Sequence, residues 1–269
     1  MRRFANFIFG LLALLFVAFA GYSYLTEFIA KDPLTIETVD GRPFITVTQP
    51  QTITYAGPLV NSGYDISHPQ CKSALPGKVV GFAIVGLNKG KPFSENPCFE
   101  KQWAWATSYD AAAIYINTAD PGKGDPAAYG QRIARDTLDR LAKYNVSTQI
   151  PIWLDVETLN TWTTPDRAVS VLTEAMHLLA EAGYHVGIYS TTAHWFEITL
   201  NAKLGVPTWR AIGKFSDVPT GVAAAKAACT QAGIAGTIPG IVQFVATVDG
   251  VTLDRNILCT DPNGLVGAQ

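Results

Sequence analysis

From residue 62 onward the chain alternates short apolar runs with longer amphipathic ones, and this constrains the fold more than any other feature. Residues 63–67 read as a short strand, followed by a loop with Pro69 and Cys71. Residues 79–87 are nearly continuous in apolar side chains, as a strand covered on both faces requires. A helix is expected over 95–107, with Pro97 in its first turn, and a third strand over 111–117, ended by a turn at 118–122. In 127–144 Ile133, Leu138 and Leu141 share one helical face, while Arg132, Arg135, Asp136, Asp139 and Arg140 cover the rest. After an apolar stretch at 150–158, Thr164 and Pro165 open another helix that Gly183 closes. A fifth strand at 185–190 and a helix over about 194–203 follow. Three later strands, 207–213, 241–245 and 251–257, have less helix between them. Repeated β and α units in one domain predict parallel strands, open as a sheet or closed as a barrel.

The stretch Ile-Pro-Ile-Trp-Leu-Asp-Val-Glu-Thr, 150–158, carries the chemistry. Ile152, Leu154 and Val156 alternate with Trp153, Asp155 and Glu157, the period of a strand. Side chains at i and i+2 leave a strand on one face, so Asp155 and Glu157 project together. Paired carboxyls on an apolar strand repel and lose solvation, which raises one pKa while the other group stays ionised. Here the pattern predicts a protonated Glu157 beside an ionised Asp155, the pairing that glycosidic cleavage uses. Trp153 shares the inward face one layer deeper and reads as barrel filling that also dries the acids.

A barrel makes a further claim. Asp65 ends the first strand and Asp254 lies in the last, and closure makes those strands neighbours. Four acids, Asp65, Asp155, Glu157 and Asp254, then converge on one mouth, which an open sheet would not achieve.

The N-terminus sets the compartment. Arg2 and Arg3 precede an apolar run from Phe4 to about residue 25, long enough to span a bilayer as a helix. Ala18-Phe19-Ala20 before Gly21 also suits signal-peptidase cleavage, so 1–25 reads equally as a membrane anchor or a removed signal. Either way the working domain is extracytoplasmic, secreted or tethered. Residues 26–61 read as a spacer with a small hairpin turning at Asp40-Gly41, and 62–269 as the barrel domain. Cys71, Cys98, Cys229 and Cys259 lack metal-ligand spacing, so no metal site is expected, and nothing calls for a cofactor. An even count in an exported chain reads as two disulfides. Three pairings are possible, and proximity favours Cys71–Cys98 and Cys229–Cys259. A net charge of −2 offers no basic field for nucleic acid.

Five ordered motifs carry a resemblance: Gly-Tyr-Asp-Ile-Ser (63–67), Phe-Ala-Ile-Val (82–85), Leu-Asp-Val-Glu (154–157), Gly-Ile-Tyr-Ser (187–190) and Val-Gln-Phe (242–244). From about residue 62 to 259 the chain resembles glycoside hydrolase family 25, the lysozyme-type N-acetylmuramidases. The resemblance implies an α/β fold, a TIM-like (β/α)5(β)3 barrel. It also implies Glu157 as general acid/base and Asp155 as the stabiliser of a substrate-assisted reaction, with Asp65 and Asp254 as the other site acids. The expected partner is cell-wall polysaccharide, above all peptidoglycan. Departures from the family pattern are Pro69 before Gln70, Gly86-Leu87-Asn88-Lys89-Gly90 after the second strand, Tyr115-Ile116-Asn117 ending the third, and Phe244 after Gln243. The acids are kept while pocket residues differ, so the alternative is a catalytically inactive glycan-binding module on the same barrel. A third possibility, a barrel hydrolase using its acids to hold a metal, is disfavoured by the lack of a clustered histidine. Tyr115, Asn117, Trp162, Tyr189, Trp195, Gln70 and Gln243 are the expected substrate contacts.

Overall fold

The computed structural model describes residues 34–39, 42–47, 61–77, 81–248, 251–259 and 267–268. The apolar run at 4–25 and the turn at Asp40-Gly41 lie outside the described residues. The two strands flanking that turn, β1 (Leu34–Val39) and β2 (Arg42–Val47), pair antiparallel.

Eight strands close the barrel: β3 (Ser62–Ile66), β4 (Phe82–Gly86), β5 (Ala111–Asn117), β6 (Ile152–Asp155), β7 (Val186–Thr191), β8 (Thr208–Phe215), β9 (Ile241–Val248) and β10 (Val251–Leu258). The first seven run parallel, with β5 on β6 and β8 on β9 completing the series. β10 runs against both neighbours, β9 and β3, and so seals the ring. A short strand β11 (Gly267–Ala268) adds to the first residues of β5, where pairing with β6 has not yet begun. The pairing of β8 with β9 slips between Ala211 and Lys214, and Gly213 supplies the left-handed φ of 94° at that irregularity.

Among the described residues five helices lie outside: α1 (Phe99–Ala106), α2 (Pro126–Lys143), α3 (Pro165–Glu181), α4 (Thr192–Thr199) and α5 (Val218–Ala228). They follow the second to sixth barrel strands, and among the described residues β3 is followed only by the 3-10 turn His68–Lys72. Helix α2 starts where Asp125 accepts hydrogen bonds from the Ala127 and Ala128 amides. α4 stops four residues before the expected end, because Leu200 turns left-handed (φ 52°). Periodicity alone did not mark α5, the fifth helix that the (β/α)5(β)3 resemblance implies. Its Ala-rich run with Gly221 has little amphipathic contrast, although Asp217 caps it by accepting from the Thr220 amide.

Two apolar layers result. Inside the barrel Phe82, Ile84, Trp153, Trp209 and Ile241 pack around the small side chains of Ala111, Ala113 and Ala211. Outside, Ile152, Leu154 and Ile188 meet the helices. Both faces of the strands are therefore dry, which is why their sequences read as nearly continuous apolar runs. Bulk inside demands its absence next door: a Cβ on Gly187 would lie 2.3 Å from the Trp153 ring.

Cys71–Cys98 and Cys229–Cys259 are both bonded. The first ties the turn after β3 to the start of α1, and the second ties the end of α5 to the end of β10. A closed loop of this length stabilises by about 3 kcal/mol in the chain-entropy model. Replacing Cys229 and Cys259 by Ser together should lower Tm by roughly 5–10 °C for a domain of this size. An unchanged melting curve, or a Cys98–Cys229 peptide in non-reducing maps, would contradict this.

Candidate active site

The four acids meet at the mouth formed by the C-terminal ends of the parallel strands. Asp65 on β3 and Asp254 on β10 are direct register partners. Asp155 is the last residue of β6, flanked by Asn117 ending β5 and Tyr189 on β7. Glu157 lies two residues beyond the strand, yet its backbone is pinned. The Val156 amide donates to the Tyr189 carbonyl (2.9 Å), Ser190 Oγ donates to the Val156 carbonyl (2.6 Å), and Trp162 Nε1 donates to the Glu157 carbonyl (3.0 Å).

A chain of donors holds the carboxyls. Asn117 Nδ2 donates to Asp155 Oδ2, and Asn117 is itself clasped by Asn88 through its amide (3.1 Å) and carbonyl (3.0 Å). Gln243 Nε2 reaches both oxygens of Asp65 (3.1 and 3.0 Å), and Tyr189 Oη donates to Gln243 Oε1 (2.8 Å), fixing which end of the amide points at the acid. Asn256 Nδ2 donates to Asp65 Oδ2 (2.7 Å), while its Oδ1 accepts from Trp209 Nε1 (2.8 Å). One oxygen is left over: Asp155 Oδ1 is buried with no hydrogen-bond partner among the described residues.

Burial dominates the electrostatics. It pushes Asp65 and Asp155 well above the usual carboxylate range, with repulsion from Asp254 adding at Asp65 and repulsion from Glu157 adding at Asp155. Glu157 is raised by burial too, helped by Asp254 and opposed by His194. Asp254 is raised by burial. The expected split is therefore revised. Asp155 is only 3% exposed whereas the Glu157 side chain keeps 21%, so in the free protein the proton is drawn hardest to Asp155 and Asp65. The repulsion between Asp155 and Glu157 is mutual, and its effect falls on the more buried partner. Tyr115 and Tyr189, raised well by burial, stay neutral donors.

These shifts carry a stability signature. Groups whose folded-state pKa is raised add stability below their unfolded pKa, and that stability is lost as pH rises through the folded value. Tm should therefore fall from mildly acidic to neutral pH. Asp254→Asn should flatten that slope and raise Tm at pH 7 by a few degrees; a slope unchanged in the variant would count against the acid cluster as its cause.

Of the expected substrate contacts, Asn117, Tyr189 and Gln243 belong to this network, and Tyr115 stands edge-on to Trp209 (6.1 Å) in the wall below the mouth. Trp162 is half-buried on the loop between β6 and α3. There it lines a cavity of about 290 Å³ with Thr158, Asn160, Thr163, Glu197 and Ile198. Arg167 and Thr163 fasten that loop to the buried Asp120, at 2.8 and 2.9 Å from the guanidinium and 2.6 Å from the hydroxyl. Two residues are corrected. Trp195 is 1% exposed in the outer core, its Nε1 donating to the Ala202 carbonyl (3.1 Å), so it cannot stack on a ligand. Gln70 turns back to accept from the Ser67 amide (2.9 Å) and caps the 3-10 turn. The sequence reading missed Asn88, His194, Trp209 and Asn256. Asn256 was within reach, since the period of two places it on the face of Asp254.

Among solved structures, a family 25 glycosyl hydrolase from Bacillus anthracis superposes with a TM-score of 0.55 at 14% identity, covering 80% of this chain and 95% of its own. In fold, the barrel resembles those of the family 25 lysozymes. The lysozyme of this family from Aspergillus fumigatus gives 0.52 at 16% identity (76% and 95% covered), and a muramidase from Trichobolus zukalii 0.53 at 17% (76% and 96%). A family model described as Lysozyme-like protein 1 matches residues 78–211, a span that includes Asp155 and Glu157 and ends before Asp254. No curated protein sequence matches.

Proposed function

We propose that the chain is an exported glycoside hydrolase acting on cell-wall glycan, most directly peptidoglycan, with Glu157 as general acid/base and Asp155 as stabiliser. The observation that carries this reading is the buried, unpartnered Oδ1 of Asp155 beside Glu157. Asn117 occupies the other oxygen, so Oδ1 is free to accept an N–H from a bound 2-acetamido group. The acetamido carbonyl oxygen then attacks the anomeric carbon as the glycosidic C–O bond breaks, and Glu157 gives its proton to the departing oxygen. The bound acetamido N–H and the developing positive charge both favour the carboxylate form of Asp155, which then stabilises the charge that spreads over the cyclic intermediate. Glu157, now a carboxylate, takes a proton from the water that opens that ring. Asp65 and Asp254, register partners on β3 and β10, complete the acidic wall of the mouth.

The N-terminal apolar run supports export, either as a removed signal or as a tether. The departures at Pro69, Asn88-Lys89-Gly90 and Phe244 favour a second reading, a module that binds wall glycan without cutting it. Incubating the 62–269 domain with purified wall polymers separates the two. New reducing ends, identified as N-acetylmuramic acid, support the hydrolase. Saturable binding with no reducing ends supports the module.

A further inference from the structure

We propose that His194 is a positioning residue for Glu157, steering the carboxyl at the mouth and following it through both of its protonation states. The inference rests on the acid/base reading of Glu157. His194 sits in the first turn of α4, where its amide donates to Thr191 Oγ1 (3.0 Å), the helix cap. That cap fixes where the imidazole leaves the helix. Its Nδ1 lies 3.9 Å from Glu157 Oε1, with the side chains 28% and 21% exposed. The same Nδ1 is buried and has no hydrogen-bond partner among the described residues.

A buried, unpaired ring nitrogen carries a desolvation penalty and requires an explanation. The separation exceeds a hydrogen bond, and a small rotation of either side chain, or one bridging water, closes it. An imidazole suits a carboxyl that must alternate between acid and base. With its proton on Nε2, Nδ1 accepts the O–H of protonated Glu157. With a proton on Nδ1, it donates to the carboxylate left after the proton has gone to the leaving oxygen. Unlike a carboxylate or an ammonium, the same ring nitrogen can serve both states.

Charge supports the geometry: His194 opposes the upward push that burial and Asp254 exert on Glu157. The groups facing this carboxyl from other elements are Asp155 on β6, Asp65 on β3, Asp254 on β10 and Tyr189 on β7. On α4 itself Glu197 turns into the neighbouring cavity. All are acids or a phenol, so the imidazole works against the field that they create.

The test is the pH profile of kcat/KM for wild type, His194→Gln and His194→Lys, together with 13C NMR titration of the Glu157 carboxyl without substrate. Removing the imidazole should move the alkaline limb upward, so that where wild type has declined His194→Gln retains a fraction of its own maximal activity roughly threefold larger than wild type does. A permanent cation in His194→Lys should move the limb below wild type, which also serves if the Gln variant does not fold. The Glu157 resonance should titrate in the same order. A limb and a resonance that stay put in both variants overturn the proposal. If the resonance moves while no wall polymer is cut, the pairing stands and the hydrolase reading falls.

Discussion

Glu157→Gln should lower hydrolysis of wall glycan by at least ~100-fold, the lower end for general acid–base catalysis. The amide keeps the shape and polarity of the side chain but has no proton to give to a leaving oxygen. A loss of that size corresponds to about 2.7 kcal/mol of transition-state stabilisation. Little else should change. The backbone of residue 157 is held through its carbonyl and the preceding peptide, not through the carboxyl. Folding and glycan binding should therefore survive, and binding is checked by co-sedimentation with insoluble wall. Near-wild-type turnover would remove Glu157 from the acid/base role.

Trp209→Ala should be the most damaging single change to the fold. The indole is 1% exposed inside the barrel, with Tyr189 (4.4 Å), Trp153 (6.0 Å) and Tyr115 (6.1 Å) around it. Deleting a buried indole costs about 3–5 kcal/mol, or roughly 10 °C in Tm for a domain of this size. Trp209→Phe fills most of the volume but deletes the Nε1 donor to Asn256, which in turn holds Asp65. It should cost less stability and more activity than its size suggests. Urea midpoints and kcat measured together separate the two effects. Equal losses of stability in both variants would show that packing is not what Trp209 contributes.

The barrel was legible in the sequence because both faces of its strands are dry. Continuous apolar runs at 82–86 and 111–117, each followed by an amphipathic segment, admit few other arrangements. The positions of Asp65, Asp155 and Glu157 were legible for a related reason, polar residues at the ends of such runs having nowhere to go but the rim; Asp254, mid-strand in β10, followed from closure of the barrel beside Asp65. Legibility failed where tertiary contacts decide. Trp195 and Trp162 look alike in sequence, each aromatic near a strand end, but one seals α4 against the core and the other lines the rim. Trp209 gave no signal, since inward and outward apolar residues of a doubly covered strand are chemically the same. His194 was read only as the start of a helix, and the approach of α4 to the loop after β6 is what brings it to Glu157.

The antiparallel last strand has a consequence for how such a protein is made. Asp155 and Glu157 share one short stretch and are together as soon as that stretch exists, but Asp254 reaches Asp65 only when β10 slots between β9 and β3. Asn256, which holds Asp65, arrives on the same strand. A chain emerging from its N-terminus would carry an unfinished mouth until almost the last described residue had been threaded, and Cys229–Cys259 would then latch that strand in place. Completion of the mouth and closure of the barrel are therefore one event.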